Sequence, residues 1–237
     1  MKLSAPLYHL KRRARILARD NAIPLHAALD AVAVQEGFSA WSLLASQSAA
    51  ASPAAKLFAR LQPGDLVLVG ARPGQGKTLF SLELAVEAMK AGRRSVFFTL
   101  EYTLADVLDR FQAIGADWPR LRDLFTFDDS EALSAAHVMQ RLAAAAPGTL
   151  AVIDYLQLLD QKRQNPDLTA QVRALKTFAA ERGLILVFLS QIDRAYDPAQ
   201  KPLPDIADLR LPNPLDTGLF SKTCFLNAGQ VAFRSAA

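Results

Sequence analysis

A single cysteine, Cys224, stands in 237 residues, so no internal disulfide is available and the chain suits a reducing compartment, the cytoplasm. Set in an apolar stretch, that thiol reads as core rather than as a reactive group. No apolar run approaches the roughly 18 residues of a membrane span, which argues against a membrane partner. The start of the chain has no secretory apolar segment. Acid is missing from residues 1–19, which carry Lys2, Lys11, Arg12, Arg13, Arg15 and Arg19. No internal repeat is present.

What is there is ordinary globular composition. Hydrophobic residues make up 51% and charged residues 21%, enough for a full core, and the length suits one α/β domain with a small appendage. The net charge of +4 favours an acidic partner. On a helix, the acid-free N-terminus makes a strongly basic surface that suits nucleic acid, with Arg12 and Arg13 as contacts. A merely solvated face or an Arg-rich targeting segment is the alternative.

Residues 1–46 read as a small basic helical unit. Leu7, Leu10, Ile16 and Leu17 recur at helical spacing, and Pro24 opens a second helix through Leu25, Leu29, Val32 and Val34. Gly37 ends it, and Ser39 is the expected cap of a last short helix, with Phe38 and Trp41 plugging the bundle. A low-complexity Ala/Ser stretch follows, giving a linker over 47–56. From 57 to 237 the rhythm is α/β. Strands are expected at Asp65–Val69, Ser95–Thr99, Leu124–Phe127, Thr149–Ile153 and Leu184–Leu189. The helices between them are expected at Leu79–Lys90, Leu104–Ile114, Ser134–Ala144 and Asp167–Glu181. Uninterrupted apolar strands of this kind belong to a mostly parallel sheet covered on both faces. Thr223–Leu226 and Gln230–Phe233 read as a closing hairpin.

The first of those strands runs into Gly70-Ala71-Arg72-Pro73-Gly74-Gln75-Gly76-Lys77-Thr78. This fits the phosphate-binding loop G-x-x-x-x-G-K-[ST], save that Ala71 replaces the first glycine. Backbone N–H groups at a helix N-terminus form a concave anion site, and Gly74 and Gly76 let the chain approach the phosphates of ATP or GTP. Lys77 would reach the β- and γ-phosphates, and Thr78 would offer its hydroxyl to Mg²⁺. Other functional groups belong at the carboxyl ends of neighbouring strands. Glu101 could orient and deprotonate an attacking water, or cap the helix near Thr103. Asp154 suits Mg²⁺ through its water shell. Gln191 could sense the γ-phosphate as donor and acceptor, or tie down a loop.

Six segments carry a more specific likeness, in order along residues 57–210. They are Leu61–Leu66, Gly70–Thr78, Phe97–Glu101, Ile153-Asp154-Tyr155-Leu156-Gln157-Leu158, Leu189–Arg194 and Asp208-Leu209-Arg210. Together they resemble the ATPase domain of replicative DnaB-type helicases. The resemblance implies a RecA-like fold, ATP hydrolysis between subunits of a hexameric ring, and translocation on single-stranded DNA in replication. It also implies roles: Arg72 through Thr78 on the nucleotide, Thr78 and Asp154 on the metal, Glu101 as general base, Gln191 coupling γ-phosphate to DNA, and Asp208, Leu209 and Arg210 near the channel. Contacts there would go mostly to phosphate.

Departures accompany the likeness. Residues 1–46 do not resemble the primase-engaging N-terminal domain of that family, and Pro212 and Pro214 stiffen the segment after Arg210. The basic finger that reaches a neighbour's γ-phosphate has only Lys222 and Arg234 as candidates, and its loss lowers hydrolysis by roughly 10³–10⁵. The leading expectation is therefore a DNA-stimulated ATPase. An ATP-switched regulatory protein of the same fold that does not unwind stands as the alternative, with a small-molecule phosphotransferase behind it.

Overall fold

In the computed structural model, described for residues 3–5, 7–160, 165–211 and 213–235, the chain opens with four helices. Lys2 and Pro212 lie outside the described residues. These helices are α1 (Leu7–Asp20), α2 (Leu25–Gln35), α3 (Trp41–Ala51) and α4 (Pro53–Phe58). Leu10 and Ala14 of α1 are buried against Ala28, Val32 and Ala33 of α2 and Leu44 of α3, with Phe38 and Trp41 packed alongside. Because α1 places Leu7, Leu10, Ala14 and Leu17 on one side, its arginines are turned outward.

Pro24 starts α2 from the capping position, its carbonyl accepting from the N–H of Ala28. Two details differ from the sequence reading. The opening N–H of α3, on Trp41, donates to Asp30 Oδ1 at 2.8 Å, so Ser39 is not its cap, and the helix runs for 11 residues. The expected linker over 47–56 is largely helical. Ala is the best helix former, and Ser52 caps α4 by accepting from the N–H of Ala55 at 3.0 Å, with Pro53 at the first helical position. Ala54 and Leu57 of α4 already belong to the core beneath the sheet.

The remaining elements alternate: β1 (Leu66–Ala71), α5 (Lys77–Lys90), β2 (Ser95–Thr99), α6 (Leu104–Ala113), α7 (Trp118–Leu121), β3 (Phe125–Asp128), α8 (Ala135–Arg141), β4 (Leu150–Asp154), α9 (Leu168–Arg182), β5 (Ile185–Gln191), β6 (Lys222–Asn227) and β7 (Gln230–Ser235). They build one seven-stranded sheet in the order β3-β2-β4-β5-β1-β6-β7. Among the described residues only β7 runs antiparallel to its neighbouring strand. Alternation along β1 divides the core. Leu66 and Leu68 pack with Val138, Val172 and Leu175 from α8 and α9, while Val67 and Val69 face Leu84, Val107 and Phe111 from α5 and α6. Cys224 is buried on β6, and burial pushes its thiol well above the ordinary range, as a core cysteine requires.

Register brings the strand ends together. Ala71 pairs with Gln191 on one side and Leu226 on the other, and Thr99 pairs with Asp154. Gly70 is required here: a Cβ on it would lie 2.7 Å from the Phe225 ring. Ala71 is still strand, so the position that departs from the phosphate-loop pattern has no need of glycine. The β6–β7 turn uses Ala228 and Gly229, both at positive φ, as a two-residue hairpin demands.

Candidate nucleotide site

Arg72 to Gly76 form the turn between β1 and α5, with Gly74 at φ +77° and Gly76 at φ +81°, backbone states that L side chains rarely adopt. Gly76 sits in the capping position of α5 and supplies no side-chain cap. The first-turn N–H groups of a 14-residue helix are thereby left open to accept an anion, with the positive end of the helix dipole behind them. At the tip, Gln75 Oε1 accepts from the N–H of Ala228 at 2.7 Å, so the β6–β7 turn braces the loop.

Asp154, at the end of β4, is fully buried. Its Oδ2 accepts from the Thr78 hydroxyl at 3.1 Å, and its Oδ1 lies 3.6 Å from Lys77 Nζ without a hydrogen bond. Burial raises the carboxyl to about 6; Lys77 opposes the rise and Glu101 adds to it. A buried carboxylate oxygen with no donor is costly. Here it stands beside a hydroxyl at the mouth of an anion site, and such hard oxygens fit Mg²⁺. When bound, that ion would be held by Thr78 and Asp154 and would neutralise charge on the phosphates.

Glu101 follows β2, and its charge reaches Asp154. It is not the cap of α6, because Thr103 and Asp106 close a reciprocal capping box there. The exposed carboxylate of Glu101 is thus uncommitted and lines an open hollow of about 540 Å³. Gln191 ends β5 beside Ala71. The loop after it is tied by its backbone carbonyl, which accepts from the N–H of Arg210 at 2.8 Å. The Gln191 side-chain amide makes no hydrogen bond among the described residues. The structure therefore brings Lys77, Thr78, Asp154, Glu101 and Gln191 to one end of the sheet.

Other candidates separate. Asp208 accepts from Lys201 Nζ at 2.6 Å and from the N–H of Asp205 at 2.7 Å, so its carboxylate is spent locally. Leu209 is buried and bridges to Ile192. Of that trio only Arg210 is exposed. Arg13 donates to Gln35 Oε1 at 2.8 Å and lies 3.5 Å from Glu36, whereas Arg12 and Arg15 are exposed and have no ion pair among the described residues. With Arg19, they line the outer face of α1 at helical spacing, around half-exposed Ile16. Lys222 is locked against Asp65 at the opposite end of the sheet, which removes it as a finger; Arg234 stands exposed on β7. Sequence reasoning assigned no role to Gln157, whose amide reaches Arg210 across 53 residues of chain. Its signals were its place three residues after Asp154 and its membership of a segment that carries the family likeness.

A phosphate loop at the carboxyl end of the first strand of a mostly parallel sheet, facing a buried carboxylate two strands away, defines a P-loop ATPase of RecA-like fold. Within that class, the model of the KaiC ATPase family matches residues 56–203, and the chain belongs to that family. It is 30% identical over 190 residues to the replicative DNA helicase DnaB of Haemophilus influenzae, a match that covers 65% of this chain and 40% of the relative. The chain thus spans about two fifths of that helicase's length. A solved DnaB-like replicative helicase, described with its interactions with primase, superposes with a TM-score of 0.59 at 22% identity, covering 92% of this chain and 65% of the other. A KaiC-like protein of Pyrococcus horikoshii gives 0.54 at 16% identity over 73% of this chain and 79% of its own. At such identities these structures speak for the fold. Among the described residues no helix is long and apolar enough to cross a membrane.

Proposed function

We propose that the chain is a Mg²⁺-dependent ATPase of the DnaB-helicase type, acting on single-stranded DNA and assembling with copies of itself in a ring. The observation that carries this is buried Asp154 between Lys77 and Thr78, its Oδ1 3.6 Å from the Lys77 ammonium yet without a hydrogen bond, with Glu101 across the same strand ends. Lys77 and the loop amides would hold the phosphates, Glu101 would take the proton of the attacking water, and Gln191 would meet the γ-phosphate. Residues 57–237 are the motor in this reading, and α1 to α3 are an accessory basic unit.

Single-stranded DNA is expected to raise the rate of ATP hydrolysis several-fold, and binding should weaken steeply with salt. No stimulation together with salt-insensitive binding removes the DNA half of the proposal. On the accessory unit, reversing Arg12, Arg15 and Arg19 to Glu together should flatten the salt dependence. Each lost phosphate contact takes about 0.7 from the slope of log affinity against log salt. An unchanged slope excludes α1 from the interface.

One observation favours a second reading, an ATP-switched binding protein that does not unwind. Lys222 is consumed by Asp65, leaving Arg234 as the remaining candidate for a basic finger. Oligomeric state with ATP and Mg²⁺ separates the two: a persistent monomer supports the switch, and a ring supports the motor.

A further inference from the structure

The loop that carries Arg210 is attached to the nucleotide site at two points, and the second is a side chain. At the first point it extends β5: Leu209 bridges to Ile192, the N–H of Asp193 donates to the Asp208 carbonyl at 2.7 Å, and the N–H of Arg210 donates to the Gln191 carbonyl at 2.8 Å. At the second, Gln157 Nε2 donates to the Arg210 carbonyl at 2.7 Å and to Ser190 Oγ at 3.1 Å. The amide orientation is fixed by chemistry, since a backbone carbonyl only accepts and the opposite flip would set oxygen against oxygen. Gln157 Oε1 is left buried with no partner.

Arg210 is therefore pinned between two strand ends. Gln191 lies at the tip of β5, where a γ-phosphate would be met, and Gln157 lies in the turn after Asp154 on β4, on the metal side. Any shift of one tip relative to the other strains one of the two bonds that hold the Arg210 peptide. A side chain bonded at once to the tip of β5 and to the Arg210 carbonyl feels any change in their relative position, which gives the nucleotide site a contiguous route to Arg210.

We propose that Gln157 is a positioning residue that couples occupancy of the nucleotide site to the placement of Arg210. The proposal rests on the reading of the chain as a DNA-stimulated ATPase, with Arg210 on the DNA side.

The test uses the full chain and two variants, Gln157→Ala and Gln157→Met; the second keeps the volume and loses the donors. Basal ATP hydrolysis, the KM for ATP and the melting temperature should stay at wild-type values. Stimulation by single-stranded DNA should fall at least about five-fold, the lower end of ordinary coupling between sites. A second arm needs no DNA. Hydrogen exchange at the Arg210 amide should slow when Mg²⁺ and a slowly hydrolysed ATP analogue bind the wild type, and should not slow in either variant. Full stimulation with unchanged Arg210 protection in both variants overturns the proposal. If the wild type shows no DNA stimulation, the functional reading fails by itself, and the exchange arm still decides Gln157. Loss of nucleotide-linked protection in the variants upholds the coupling, and its persistence overturns it.

Discussion

Lys77→Ala should reduce ATP hydrolysis by at least about 10²–10³-fold, the cost of removing one preorganised charge or donor from a reacting phosphate or oxyanion. ATP binding should weaken with it. The ammonium is nearly buried and stands 3.6 Å from Asp154 Oδ1, so in the proposed reading it would serve the phosphates and the metal side together. Truncation also removes the cation that opposes the burial-driven rise of Asp154, whose carboxyl already lies near 6. The sign follows directly. The folded-state value rises further, the carboxyl takes up a proton near neutral pH, and it becomes a poorer Mg²⁺ partner. Protonation also keeps the fold intact, because a neutral buried acid avoids the penalty of an unpaired buried charge. Nucleotide binding by calorimetry, steady-state hydrolysis and thermal melting check the three parts. Hydrolysis near the wild-type rate would exclude Lys77 from the reaction.

The sheet was legible because its strands are apolar on both faces, a pattern that burial between two helical layers imposes. Strand ends were less legible. Gly70, Ala71, Ser190 and Gln191 look like loop by residue type, yet they pair within the sheet, which extends β1 and β5 toward the site. Composition misled at 47–56, where small residues read as a linker and fold as helix around the Ser52 cap. The phosphate loop, Asp154 and Glu101 could be placed from local context, since each follows its own strand. Asp208 could not: its acid looked available until Lys201 and the Asp205 amide were seen to occupy it. The reach of Gln157 to Arg210 is a matter of tertiary register, and no local pattern encodes it.

Glu101→Gln should separate binding from turnover. The substitution keeps size and hydrogen-bonding shape and removes the proton acceptor, so hydrolysis should fall by about 10²–10⁴-fold, the usual contribution of a general base. Its effect on Asp154 is opposite in sign to that of Lys77→Ala. The charge of Glu101 raises the Asp154 carboxyl, so removing it lets that carboxyl fall and ionise more readily, and binding of Mg²⁺ with ATP should be kept or strengthened. The backbone is indifferent to the change: the N–H of residue 101 donates to Thr99 Oγ1 at 3.0 Å whatever side chain follows, and α6 keeps its own cap. Water reaches the carboxylate through the adjoining open hollow, so the loss cannot be assigned to a closed access path. Single-turnover hydrolysis measured beside nucleotide affinity decides the matter. Slow turnover with retained affinity makes Glu101 the base. Slow turnover with lost affinity would assign it to binding, and an undiminished rate would require the base to lie elsewhere along the strand ends.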